Sequence, residues 1–387
     1  MIKFSTRRNL IYIVFLLLSF AIRKCNLIII CTNFEFTNSI LFTVLMFLGE
    51  FCTGLIIHIY HQCIFRSVHK ENIISRHSLI YNKSNKISKD SYLKIYLILI
   101  TLAFFDCVEF KIAVLYLPKI HVFSGSLEDR LCGLVIVFCG LIYCYILRYP
   151  LFKHHICSLL VIGICLIIII ITEIIFQINN ILMFYNASRF ILLILLINVE
   201  LFLLSMIHLG DKYLLEYNSI KTYKMAIIEG FFGLIFTFIA FLEDNPLVKL
   251  KKVFDKESTG SFIFFIFLLF CYCVLSGIAN QYRFEVNNLY SPMTVTLLNY
   301  FSNPIFMIYN YILGSDFTIG GNKNLFYFLI NLILSSIICI TGLVFSEIIV
   351  LYFCGLEHNT YKQITERSNT SINEMFEFGD MTILDDI

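Results

Sequence analysis

Between short polar breaks this chain runs through ten stretches of roughly 20 mainly apolar residues, near 9–30, 38–60, 93–117, 131–148, 156–177, 187–209, 224–242, 261–281, 292–313 and 325–353. Such a segment has one solution in lipid. With no water to bond its backbone N–H and C=O groups, it must close them internally as a helix. The fold expected is therefore an all-α polytopic membrane protein with about ten transmembrane helices. Composition agrees: 59% of residues are apolar and 14% charged, against roughly 45–50% and 25% in soluble domains. The apolar excess has to face lipid, so the bilayer is the first partner.

Several function classes fall away. A formal charge of +2 provides no basic face for nucleic acid. The 14 cysteines lie mostly inside apolar runs such as 161–172, where Cys acts as a small hydrophobe, and they form no disulfide framework. Cys271 and Cys273 fall on different faces of one helix and make no zinc pair. No Walker A loop, His/Cys metal cluster, Gly-x-Gly-Asp or Gly-x-Ser-Gly signature is present, so neither a cofactor nor an enzyme is expected. His58 and His208 sit at span ends and His154-His155 follow a loop, all positions that suit the interface.

Lys3, Arg7 and Arg8 followed by 9–22 have the outline of a signal peptide, but no small-x-small site precedes Arg23 and Lys24. The segment is expected to stay as a first span. With the N-terminus inside, eighteen Lys and Arg fall in cytosolic segments, Lys212 and Arg283 among them, against ten on the other side. That favours both termini in the cytosol. The objection is the run of lysines from Lys249 to Lys256. Sequons stand at Asn82, Asn186 and Asn369, and only Asn186 would face the lumen.

Ten spans divide into a first five-helix unit, 1–180, with a cytosolic loop at 61–92, and a second, 181–355. An acidic tail, 356–387, is expected to be disordered. An odd number of spans per half inverts the second half, the plan of many secondary transporters. The second and seventh spans carry a short echo, Gly49-Glu50-Phe51 and Glu229-Gly230-Phe231.

Ionisable residues inside spans are costly, at least ~2.5 kcal/mol at the bilayer centre, and mark function by default. Glu50, Asp106, Glu200 and Glu229 are the acids of this kind, with Glu109 three residues after Asp106 on the same helical face. For Glu50 and Asp106 two readings stand side by side: a cavity carboxylate that takes a proton during transport, and a packed acid bonded to a neighbouring helix. Glu200 lines a cavity or packs; Glu229, beside a glycine, suits close helix packing with the carboxylate as glue. Arg130 anchors substrate or pairs with Glu109, Glu128 or Asp129, and Lys111 neutralises a nearby acid. Glu173 and Glu347 lie nearer span ends, where long side chains reach headgroups. Asn303-Pro304 falls mid-span, where proline frees the carbonyl one turn earlier. Broken helices of that sort line transporter sites, and ligand-free kinks look the same.

These residues resemble the drug/metabolite transporter superfamily, and within it the F branch of the nucleotide-sugar-transporter-like solute carrier family 35. The likeness covers roughly 10–355. Its best segments are MFLGEF at 46–51, Phe104-Phe105-Asp106, the run 135–148, and 211–234 with its Glu-Gly-x-Phe-Gly at 229–233; Asn280, Ser291 and Thr294 also match. The resemblance implies a 5+5 inverted repeat around a central cavity, and endomembranes such as Golgi, vesicle or lysosome. Departures matter. Where the family shows Gln-Met-Leu-Arg, this chain has Asp129-Arg130-Leu131-Cys132, and the family's Arg, Asp and Arg fall on Val295, Asn299 and Ser302.

The expected function is a secondary transporter or exchanger of a small polar organic solute. Cavity candidates are Glu50, Asp106, Glu200, Glu229, Arg130, Asn280, Asn299 and Pro304. The abundance of acids points to a neutral, cationic or amine-bearing solute. A homo-oligomer is compatible with this reading. The rival readings are a non-transporting scaffold or receptor-like protein and a membrane-embedded lipid enzyme.

Overall fold

The computed structural model describes residues 7–34, 36, 38–68, 92–113, 127–147, 152–183, 187–216, 218–240, 246–256, 258–290, 292–313, 318–319, 322–346, 349 and 351–352. The tail 356–387, most of the loop 61–92, Ser291, Glu347 and all three sequons lie outside them. Helices dominate: α1 Arg7–Asn33, α2 Ser39–Val68, α3 Tyr92–Lys111, α4 Leu127–Leu131, α5 Leu134–Leu147, α6 Lys153–Met183, α7 Ala187–Glu216, α8 Thr222–Ala240, α9 Pro246–Lys256, α10 Thr259–Leu289, α11 Pro292–Leu313 and α12 Leu325–Phe345. A two-residue antiparallel ladder, Thr318–Ile319 with Asn322–Lys323, joins α11 to α12.

Seven of these, α1, α2, α6, α7, α8, α10 and α12, are long and apolar enough to cross a membrane. Helix α6 shows why. Leu159, Ile162, Leu166 and Ile169 face the core, while Ile156, Leu160, Ile164, Ile167, Ile171 and Ile175 on the opposite side are exposed. A helix apolar on both faces belongs in lipid. The other expected spans also coincide with helices, of a more polar or broken kind. Helix α3 carries Lys94, Asp106, Glu109 and Lys111, and α11 carries Asn299, Ser302 and Asn303. The fourth span is split at Cys132-Gly133, where Val135 N–H bonds the Cys132 carbonyl and Ile136 N–H that of Gly133.

Helix α9 was not expected. It carries Lys249, Lys251, Lys252 and Lys256, and its apolar Leu250 and Val253 join the cluster of Phe262, Phe265 and Leu269 from α10. The lysines that argue against the assumed orientation thus belong to an amphipathic helix rather than a loop, the form that interfacial segments take.

Glycines set the closest contacts. A Cβ at Gly49 would lie 2.0 Å from the Cys273 carbonyl oxygen, and one at Gly277 2.2 Å from the Gly49 carbonyl, so α2 and α10 touch backbone to backbone. A Cβ at Gly230 would stand 2.7 Å from Phe51 N, which presses α8 onto the other side of α2. Along α2 and α8 the contacts run antiparallel: His58 on Tyr223, Gly54 on Ile227, Phe51 on Gly230 and Phe47 on Gly233. Helix α2 also packs on α10 and α3, α1 on α10 and α11, α7 on α3 and α5, α8 on α3, and α6 on α12.

Candidate functional site

The close approach of α2, α8 and α10 brings the polar residues beside those glycines together. Glu50 follows Gly49, Glu229 precedes Gly230, and Asn280 lies one turn beyond Gly277. Asn280 Nδ2 donates to Glu50 Oε2 at 3.2 Å. At the centre stands Arg283, also on α10 and 5% exposed. Its Nη2 lies 3.5 Å from Glu229 Oε2, its Nε 3.6 Å from Asp211 Oδ2 on α7, and its Nη1 4.0 Å from Asp106 Oδ2 on α3. Glu50 is within electrostatic reach of the same guanidinium and of Asp106 and Asp211. Five helices contribute to one buried network, and His208, also buried, adjoins Arg283.

Two properties set this network apart from an ordinary buried ion pair. First, it is loose. Arg283 Nε and Nη2 and Glu50 Oε1 have no hydrogen-bond partner among the described residues, and the Asp211 and Glu229 carboxyls meet only each other. Buried polar groups are nearly always bonded, and each exception calls for an explanation. Second, it is unbalanced: fully ionised, its four carboxylates and one guanidinium would carry three net negative charges. Two like charges about 4 Å apart repel by ~4 kcal/mol at an effective dielectric near 20. Further positive charge, as protons or as a cationic group, is needed to offset that repulsion.

Arg283 and Asp211 were missed as site residues. Arg283 was expected in a cytosolic loop because the eighth span was drawn to 281; α10 continues to Leu289. Its polar residues Asn280, Arg283 and Asn287 are spaced three and four apart on one buried face, and that spacing was the legible signal. Lys212, also expected as a loop charge, is 5% exposed and donates to the carbonyls of Asn287, Asn288 and Tyr290 at 3.0–3.3 Å, closing the C-terminus of α10.

Arg130 is a different case. Its ion pair is with Glu173 of α6, at 2.8 Å, and both side chains are fully buried. It also donates to Tyr327 Oη at 3.0 Å and Asn331 Oδ1 at 3.1 Å on α12, and Tyr327 donates to Glu173. The expected partners are otherwise engaged: Asp129 pairs with Lys24, and Glu128 meets Glu200. Glu173 is thus no headgroup-reaching residue, because α6 runs ten residues beyond it to Met183. The His154-His155 pair, expected at the interface, is buried at the start of α6, with ring nitrogens 3.1 Å apart.

The remaining candidates lie apart from Arg283. Glu200, on α7, is 2% exposed and faces Glu128 and Glu109. Asn299 and Pro304 are half-buried on α11. That helix runs on through Pro304, and its buried polar contacts reach toward Arg130: Asn303 donates to the Asp129 carbonyl, and Tyr300 to the Arg130 carbonyl at 3.4 Å. Among the described residues no group of His, Cys, Asp and Glu has the arrangement to hold a metal ion, and the described cysteines are free. In comparison with known proteins the sequence matches no family model, and no curated protein matches it.

Proposed function

We propose that this protein is a secondary transporter or exchanger that moves a small polar solute by alternating access between two inverted five-helix halves. The observation that carries the reading is the Arg283 network. Its arginine belongs to the second half and its acids to both: Glu50 and Asp106 in the first, Asp211 and Glu229 in the second. A cation held at 3.5–4.0 Å by carboxylates of two bodies can exchange partners as those bodies rock, at little cost in hydrogen bonds. Transporter sites lie at such repeat interfaces.

Packing supports the 5+5 plan. Matching α1, α2, α3, α4/α5 and α6 with α7, α8, α10, α11 and α12, the contact of α2 with α10 corresponds to that of α8 with α3. By the same exchange α1 on α10 corresponds to α7 on α3, and α5 on α7 to α11 on α1. The pairs α2–α8 and α6–α12 map onto themselves. The echo at 49–51 and 229–231, 180 positions apart, lies at the crossing of α2 and α8. A two-fold axis there would carry Phe51 against Gly230 into Glu50 against Phe231, and Gly54 against Ile227 into Phe47 against Leu234. The neighbouring contacts of Phe51 with Phe231 and Phe47 with Gly233 fit within one residue. An endomembrane location goes with this reading.

The test is counterflow. Proteoliposomes of the purified protein, loaded with a mixture of nucleotide sugars, phosphates, amino acids and amines, are expected to exchange at least one solute. Glu50→Gln and Asp106→Asn are expected to abolish that exchange while the protein stays monodisperse. Exchange unchanged in both variants would remove the network from the mechanism, and no exchange of any solute by folded protein would favour the scaffold reading.

A further inference from the structure

Polar side chains inside the bundle fall into a dry group and a wet one. Around Arg283, Glu50, Asp106, Asp211, Glu229 and Asn280 are each at most 4% exposed. Lys24 of α1 and Asp129 of α4, paired with each other, keep 31% and 25% of their side chains exposed. Glu109 on α3 and Asn299 and Ser302 on α11 are half-buried too. That exposure does not face lipid. Exposed apolar residues mark the lipid side of each helix: Leu18 and Ile22 on α1, Leu97 and Phe104 on α3, Ile305 and Ile312 on α11. At about 100° per residue, Lys24, Glu109 and Asn299 lie roughly 130–140° round their helices from those stripes, on the sides turned toward the bundle.

Lys24 falls within the apolar span Ile11–Cys31. Charges at such depth face the bundle interior or a water-filled cavity; Lys24 faces inward and is still exposed, so the space beside it is open to water. That opening lies at one end of the bundle. Helices α1 and α10 run antiparallel, Phe34 against Phe265 and Tyr12 against Tyr282. Just after Lys24, Asn26 donates to the Leu268 carbonyl, and Arg283 lies roughly 20 Å further along α10 at about 1.5 Å per residue. Asp106 connects the two levels. It is 4% exposed, lies 4.0 Å from Arg283 Nη1, and stands one turn from Glu109 on the same face of α3.

We infer that Lys24, Glu109, Asp129, Asn299 and Ser302 line a water-filled vestibule that leads a hydrophilic solute from one end of the bundle to Asp106, with the Arg283 network closing the path beyond. As the solute's route this rests on the transporter reading; as a water-filled space it is measured without transport. Single cysteines in the full-length protein in nanodiscs, treated with a cationic, membrane-impermeant thiosulfonate and read by mass spectrometry, test it directly. Asn299→Cys and Ser302→Cys are expected to react at least about tenfold faster than Ser276→Cys in the dry zone and Ile305→Cys on the lipid side, because the reactive thiolate is disfavoured in apolar surroundings. Lys24 gives a second reading that needs no substitution: a sulfonated N-hydroxysuccinimide ester is expected to acylate it in the wild-type protein. Reaction at 299 and 302 no faster than at 276, or an unlabelled Lys24 beside a labelled Lys251, overturns the vestibule. In proteoliposomes the thiosulfonate is expected to block counterflow by Asn299→Cys, and labelling that leaves counterflow at the wild-type rate overturns the solute route. Labelling at these positions in a protein that exchanges no solute would count against transport and keep the vestibule.

Discussion

Among the described residues two arginines are buried, and they are held in opposite ways. Arg130 has one acid at 2.8 Å, hydrogen bonds to Tyr327 and Asn331, and a net charge of zero with Glu173. Arg283 has three acids at 3.5–4.0 Å, a fourth within electrostatic reach, and two nitrogens without a hydrogen-bond partner among the described residues. A buried ion pair offsets its desolvation only when geometry is good and the remaining donors and acceptors are satisfied. Arg130 comes close to that condition, with Glu173 Oε1 left without a partner among the described residues, and ties α4 to α6 and α12. Arg283 does not, which suits a group that changes partners. Burial of a charge therefore does not by itself set the two apart; the saturation of its hydrogen bonds does.

The comparison makes graded predictions. The largest effect is expected from Arg130→Met, which strands Glu173 in the interior and should cost about 3–5 kcal/mol of stability. The double variant Arg130→Met with Glu173→Gln should recover most of it, as read by thermal melting in detergent. Failure of that rescue would mean that Arg130 is held by more than its pairing with Glu173. An intermediate effect is expected from Gly277→Ala. Its Cβ would sit 2.2 Å from the Gly49 carbonyl and force α2 from α10, an overpacking cost of about 1–3 kcal/mol, with loss of counterflow because Asn280 and Arg283 ride on the displaced helix. The smallest effect on melting is expected from Arg283→Gln, less than half that of Arg130→Met, because few hydrogen bonds are lost and its buried acids can take up protons in place of the guanidinium. Counterflow should nonetheless disappear. If Arg283→Gln melts as far below wild type as Arg130→Met does, the two sites are both clamps and the contrast fails.

Legibility differed across the molecule for a physical reason. Glu50, Asp106, Glu200 and Glu229 stood out because a carboxylate inside an apolar run is conspicuous, and each is buried. Asp211, Arg283 and Lys212 were hidden in the polar ends of α7 and α10, where a helix leaving the apolar region reads like a loop. Only burial of one face distinguishes the two. Glu173 was set aside for its place near a span end, although α6 extends well past it.

What the sequence determined alone is the environment and the secondary structure: long apolar runs must be helices in lipid, because the backbone has no other partner there. It also marked most of the acids. Which charges face each other was decided by tertiary structure. Partners lie as much as 230 residues apart, as Asn280 and Glu50 do, and their meeting depends on Gly49, Gly230 and Gly277 letting α2, α8 and α10 approach to backbone contact. A chain read one segment at a time contains the charges but not the distances between them, and those distances separate the saturated Arg130 from the over-subscribed Arg283.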